Sequence, residues 1–317
     1  LRAARALLLA AGLCAGAAGS QASPSDASRF CDRTSPLTAR EQDRLLRFAA
    51  LVRQELDASG HRVALVSRSG LDLTRFGLRY SHAGLSLKAS ANGPWSVRQL
   101  YYACDESRPR LYDQGIAGFL FGTDDPRTGY VSIVLLPPAE AAALERAALD
   151  KALALRLLAG RYSANAHPYS LRYQNCNQWV MEMLASAWGA QDDARQTGGA
   201  GGEPGDSPGV SRASAQRWLM EQGYAPEPVP VGSQSLMFAA HFMPWVNVID
   251  HPEQDRFALR FQTSTPKAIE AFVRDHVPGA RRIELCHDER QAVIRRGWKS
   301  VGEGCRAGDG DRVFPFD

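Results

Sequence analysis

The chain has no block of like charge. Lys and Arg together number 37 and Asp and Glu 34, and no basic cluster stands out. That balance removes the electrostatic reason to expect a nucleic-acid partner. No CxxC pair and no His/Cys ligand spacing occurs among the six cysteines and seven scattered histidines. Neither a structural zinc nor another bound metal or cofactor is therefore expected. No internal repeat is evident, which sets repeat architectures aside.

Long apolar runs are scarce too. The best candidate, Ala6 to Ala18, carries no charge. It still falls short of the roughly 20 apolar residues that a membrane-spanning helix needs. Arg2 and Arg5 precede it, and small residues follow, with Ala15-Gly16-Ala17 and Ser20-Gln21-Ala22 as cleavage sites. This is the layout of a secretory signal peptide. Residues 1–22 are expected to be that signal. The mature chain is then periplasmic or otherwise exported, with no transmembrane segment left. Leu13 before Cys14 argues against lipidation, since lipoprotein signals place Gly or Ala there.

Removing Cys14 leaves five cysteines, an odd number in an oxidising compartment. The simplest pairing joins Cys31 with Cys104 and Cys286 with Cys305. Cys176 is then the free thiol.

The hydrophobic fraction of 44% is that of a folded globular chain. Leu45, Leu46, Phe48, Leu51, Val52 and Leu56 recur at helical spacing across Thr38 to Asp57, with Thr38 and Glu41 as a capping box. Strands are expected at Val63 to Val66, Tyr80 to Leu87, Trp95 to Tyr102 and Val131 to Leu136. An Ala/Leu-rich helix should cover Ala139 to Leu158, and a second amphipathic helix Cys176 to Trp188. Residues 191–211, rich in Gly, Ser, Asp and Pro, read as a flexible loop or linker. Beyond it, the expectation is a helix at Ser214 to Gln222, a strand at Phe257 to Thr263, a helix from Thr265 or Pro266 to His276 and a strand near Arg282 to Leu285. The class is α+β.

Two segments carry chemistry. Cys176 stands where a polar loop meets a helix, and Val180, Met183 and Leu184 continue its face. A thiol there meets free backbone N–H groups and the positive end of the helix dipole, which favour the thiolate. The plain alternative is a buried structural cysteine. His82 sits in Ser81-His82-Ala83-Gly84-Leu85, a strand in which Gly84 marks a close approach. A histidine so placed can take a proton from a thiol on a helix packed against the sheet. A satisfied half-buried histidine is the alternative.

Together, Ser81-His82-Ala83-Gly84-Leu85 and Asn175-Cys176-Asn177-Gln178-Trp179 resemble the circularly permuted members of the NlpC-type papain-like superfamily, in which the His strand precedes the Cys helix. The whole chain also resembles an exported bacterial family of unknown function, domain of unknown function 2145. The motif resemblance covers roughly residues 61–188. It implies a papain-like fold, a small antiparallel sheet packed on helices, with a C-terminal α/β extension. The implied layout is a signal at 1–22, a permuted papain-like domain at 23–190, the loop at 191–211 and an extension at 212–317 packing on the first part.

The resemblance also implies catalytic Cys176 and His82, and a third polar residue on the strand after the His strand. Gln99 is the matching type there. Its neighbour Arg98 has no acceptor to offer an imidazole N–H. Gln174 and Asn175 are candidate oxyanion donors beside the Cys176 backbone N–H, and Tyr80 and Trp179 are candidate cleft walls. The implied activity is a thiol hydrolase cleaving an amide or ester bond through a Cys acyl-enzyme. Its substrate would be a peptide of the cell envelope or, alternatively, an acyl lipid. A non-catalytic envelope binding or assembly module is the remaining alternative.

Overall fold

A computed structural model describes residues 37–196 and 210–316. The expected signal, Cys31 and most of the expected 191–211 loop lie outside the described residues. No helix among the described residues is long and apolar enough to cross a membrane.

The chain opens with helix α1 (Ala39–Ala58), started by the expected capping box: Thr38 Oγ1 accepts from Glu41 N at 3.3 Å, and Glu41 Oε2 accepts from Thr38 N at 2.8 Å. Four strands follow: β1 (Val63–Arg68), β2 (His82–Leu87), β3 (Ser96–Ala103) and β4 (Arg108–Gln114). A short helix α2 (Ile116–Leu120) leads to β5 (Gly129–Leu135). Helices α3 (Pro138–Leu149), α4 (Lys151–Arg156) and α5 (Cys176–Gln196) come next, then α6 (Arg212–Glu221). The last part holds the small pair β6 (Val229–Pro230) and β7 (Arg260–Phe261), helices α7 (Gln234–Ala240), α8 (Glu253–Phe257) and α9 (Pro266–His276), and strands β8 (Arg281–His287), β9 (Gln291–Arg296) and β10 (Arg312–Pro315).

Eight strands form one antiparallel sheet in the order β10-β9-β8-β5-β1-β2-β3-β4. The fold is α+β, but the sheet is large where a small one is expected. The reason is β8, which pairs with β5 from Gly129↔His287 to Leu135↔Arg281 and carries β9 and β10 with it. The C-terminal segment thus completes the first sheet.

Strand alternation decides what each face does. Ala83, Leu85 and Leu87 join Val63, Leu65 and Leu100 in a core shared with Trp179, Val180 and Leu184 of α5, Leu144 of α3 and Phe272 of α9. The opposite face packs Ala64, Val66 and Val97 against Phe48 and Val52 of α1 and Phe119 of α2. Each fully buried side chain of Leu or Val size contributes about 1.5–3 kcal/mol.

Several expectations need correcting. The single helix expected over Ala139 to Leu158 breaks at Asp150, which is extended (φ −73°, ψ 102°). Its carboxylate accepts from Ala152 N and Leu153 N, so it caps a new helix. The expected strand at Phe257 to Thr263 shrinks to Arg260–Phe261, because α8 takes its first residue. Helix α5 runs on to Gln196, into the expected loop.

Cys286 and Cys305 form a disulfide. Cys104 is also disulfide-bonded, and Cys176 is the free cysteine among the described residues.

Candidate active site

Cys176 is the first residue of α5, and Asn175 caps that helix. Asn175 Oδ1 accepts from Gln178 N at 2.7 Å, and its carbonyl accepts from Trp179 N at 3.1 Å. The Asn175 amide donates to Ala164 O, Thr263 Oγ1 and Ser264 O at 2.9–3.2 Å. The candidate oxyanion donor is thus occupied in tying the helix start to two loops. Gln174 is occupied as well: its amide donates to Leu157 O and Glu182 Oε2 and accepts from Ala159 N. The donors beside the sulfur are instead the backbone N–H groups of Cys176, Asn177 and Ala83.

His82 is the first residue of β2. Its Nε2 lies 2.8 Å from Gln99 Oε1 on the next strand, and Gln99 Nε2 donates to Gln114 Oε1 at 2.6 Å on the strand beyond. Because the Gln99 amide nitrogen is used on Gln114, its carbonyl is turned to the ring. The His82 proton then sits on Nε2, and Nδ1 is the basic nitrogen. Arg98 points to the other face, where it grips Asp113 through two bonds of 2.6–2.7 Å. The His82 ring stacks on Tyr101 with centroids 4.6 Å apart.

Gly84 makes the relay possible. A Cβ there would lie 2.5 Å from Val97 Cγ1, 2.9 Å from Arg98 O and 3.2 Å from Gln99 Cβ. Only a bare backbone lets β3 come close enough for Gln99 to reach His82.

By alternation His82 belongs to the α2 face, whereas Cys176 enters from the α5 face. His82 begins β2, and Cys176 begins α5. Both line one cavity of about 380 Å³. Asn177 Nδ2, one residue beyond the thiol, reaches Ser81 O at 3.5 Å. Among the described residues no hydrogen bond joins the Cys176 sulfur to the His82 ring. Tyr80 and Asn175 line the same cavity, while Gln99, Gln174 and Trp179 stand behind it. The Tyr80 hydroxyl is engaged with Glu284 and Arg282, and Trp179 is core, its indole donating to Ala154 O at 3.3 Å.

Most of the remaining wall is apolar, with Leu71, Leu100, Leu236, Met243, Trp245 and Phe261 among its residues. Arg68, Tyr101 and Tyr162 line it as well, and none of them is singled out by the sequence reading. Tyr101 was within reach of that reading, since it stands two residues after Gln99 on the same strand face.

The electrostatics correct one expectation. The helix start favours a thiolate, yet burial outweighs it and pushes the Cys176 thiol up to about 11, against opposing pulls from the Ala83 N–H and the Arg68 charge. Burial, with Arg68 adding to it, pushes His82 down to about 3. At neutral pH the resting pair is a neutral thiol and a neutral imidazole. Among the described residues no group of three or more His, Cys, Asp or Glu could hold a metal ion.

Residues 55–273 match the model of a family described as an uncharacterized protein conserved in bacteria, domain of unknown function 2145. The chain belongs to this family. The family's span contains His82, Gln99, Gln114 and Cys176, and it ends before β8. No curated protein and no solved structure matches the chain.

Proposed function

We propose that this family member is an exported thiol hydrolase or acyltransferase with the active site of a permuted NlpC-type papain-like enzyme, acting on an ester or amide with an apolar acyl group. The observation that carries the reading is the Gln114–Gln99–His82 relay ending at the cavity that holds the free thiol. The apolar wall favours an acyl chain over a hydrated cell-wall peptide. The Cys286–Cys305 disulfide suits an oxidising compartment outside the cytoplasm.

In this mechanism Cys176 Sγ attacks the carbonyl carbon while its proton passes to His82 Nδ1. The backbone N–H groups at the start of α5 meet the oxygen as it becomes negative. The carbon–oxygen or carbon–nitrogen bond breaks, the His82 proton goes to the leaving group, and a thioester remains on Cys176. Water, or an acceptor alcohol or amine, then gives its proton to His82 and attacks the thioester. The carbon–sulfur bond breaks and the thiol is restored. Gln99 holds the ring in the tautomer that both steps need, without adding a negative charge.

The test is turnover by the mature protein of p-nitrophenyl esters from acetate to dodecanoate, beside a cell-wall tetrapeptide amide. Intact-mass measurement would look for an acyl adduct. The expected result is a preference for the longer esters and an adduct on Cys176. Cleavage of the peptide alone would move the substrate to the cell wall. Absence of both turnover and adduct would sink the enzymatic reading and leave a binding module.

A further inference from the structure

The cavity contains a buried cation that the mechanism above does not use. Arg68 ends β1 directly opposite His82 in the sheet register and is 4% exposed. Its guanidinium donates to Ser69 O at 3.2 Å, to Gly122 O and to Tyr101 Oη at 2.7 Å, and it lies over the Phe119 ring. All of these partners are neutral. Arg98, Arg212 and Arg282, buried to similar depth, each meet a carboxylate. Arg44, also buried without a salt bridge among the described residues, does not line the cavity.

The Arg68 site is built. A Cβ at Gly70 would strike Nη1, and one at Gly122 would strike Nη2, so two glycines clear the space for the guanidinium. The Nε–H is buried and has no acceptor among the described residues. A buried guanidinium without a counter-charge is costly, and a ligand anion would offset that cost. Asp124 lines the same cavity, and its carboxylate opposes an anion placed beside it, so the anion must sit at the guanidinium.

We infer that Arg68 makes the cavity a binding site for an anionic amphiphile, a molecule with one apolar chain and one carboxylate or phosphate. The chain lies along the Leu71, Leu236, Met243 and Phe261 wall, and the anion meets the guanidinium beside Tyr101. The inference shares the apolar cavity with the proposed function but needs no chemistry at Cys176.

Binding of dodecanoate, dodecyl phosphate and 1-dodecanol is measured calorimetrically below their aggregation limits, on the intact protein and on Cys176→Ala. Either anion should bind about tenfold or more tightly than the alcohol on both proteins. The better of the two anions tells a carboxylate ligand from a phosphate one. Arg68→Gln should erase that preference while leaving the alcohol's affinity unchanged. Equal affinity for alcohol and both anions on the intact protein overturns the inference whatever the variant does. So does an anion preference that survives Arg68→Gln. Because Cys176→Ala keeps the site, anion binding without turnover would leave this inference standing and remove only the enzymatic reading.

Discussion

Glu182 and His82 are both buried, and both are held through glutamine side chains. They differ in how the networks end. Glu182, one turn and a half into α5, accepts from Gln174, Gln178, Gln216 and twice from Arg212. Arg212 goes on to the carbonyls of Ser170, Leu171 and Tyr173. That network is charged, closed and buried. It clamps α6 and the 170–174 loop to the helix that carries Cys176. The His82 network is neutral, and Gln114 and Gln99 saturate only Nε2. The other ring nitrogen has no hydrogen bond among the described residues, in a side chain that lines the cavity. A closed network holds the site in place, whereas one left open at a basic atom can react.

The comparison breaks most decisively at the thiol. Cys176→Ala is expected to lower ester turnover by about 10³-fold or more, with His82→Ala nearly as severe and the double variant no worse, since nucleophile and base act as a unit. Melting temperatures should stay within a few degrees of the parent for Cys176→Ala. A Cys176→Ala protein that retains turnover would show that the open network serves some other purpose.

The closed network should answer in the opposite currency. Glu182→Ala leaves the Arg212 charge buried without its counter-charge, so a loss of about 3–5 kcal/mol in unfolding free energy is expected. Denaturant titration measures it. Gln99→Ala should cost far less stability by the same measurement. If Gln99→Ala proved the more destabilising of the two, the division between a clamp and a reactive site would be wrong.

Much of this was legible in the sequence, for identifiable reasons. The helix from Cys176 announces itself through Val180, Met183 and Leu184, and β2 and β3 through their apolar alternation. That alternation also separates Gln99 from Arg98, because neighbouring residues on a strand face opposite ways. What stayed hidden depends on long-range pairing. The strand at β4 contains Pro109 and, on an edge, the polar or charged Arg108, Arg110, Asp113 and Gln114, so periodicity gives little signal, and with it Gln114 is missed. Arg68 becomes notable only when the register sets it opposite His82. The state of the Cys176 thiol escaped for a related reason: a helix start can be recognised locally, but the burial that outweighs it comes from elements far away in the chain.

Gln99 and Arg98 offer a smaller, sharper contrast. Gln99→Ala should reduce kcat about 10- to 100-fold, part of what a well-placed general base supplies, with KM little changed. Gln99→His should recover most of the loss, since a neutral imidazole also accepts the Nε2–H. Arg98→Ala removes the Asp113 ion pair, so it should lower the melting temperature and leave kcat alone. Steady-state kinetics beside melting curves on the three variants separates the roles. The reverse pattern at equal stability would mean that Arg98, not Gln99, serves His82.

The remaining expected effects concern pH. His82 is pushed down to about 3 in the fold, from about 6.5 when unfolded. The folded state therefore binds fewer protons between those values. The corresponding stability is fully present above pH 6.5 and is lost progressively as pH falls toward 3. Cys176 runs the other way. Its folded value of about 11 exceeds the ordinary 9.0, so the folded state keeps its proton longer, and stability falls as pH rises through that interval. At pH 7 the thiol should react with iodoacetamide at least about tenfold more slowly than free cysteine, because so little of it is thiolate. The rate should climb about tenfold per pH unit up to pH 10. Arg68→Gln should slow it further, since the Arg68 charge favours the thiolate. Gln99→Ala should leave it unchanged, because a neutral amide holding a neutral ring adds no charge beside the sulfur. A fast, pH-independent alkylation below pH 7 would instead reveal a preformed thiolate–imidazolium pair. The open network would then be charged at rest, and its contrast with the Glu182 clamp would have to be redrawn.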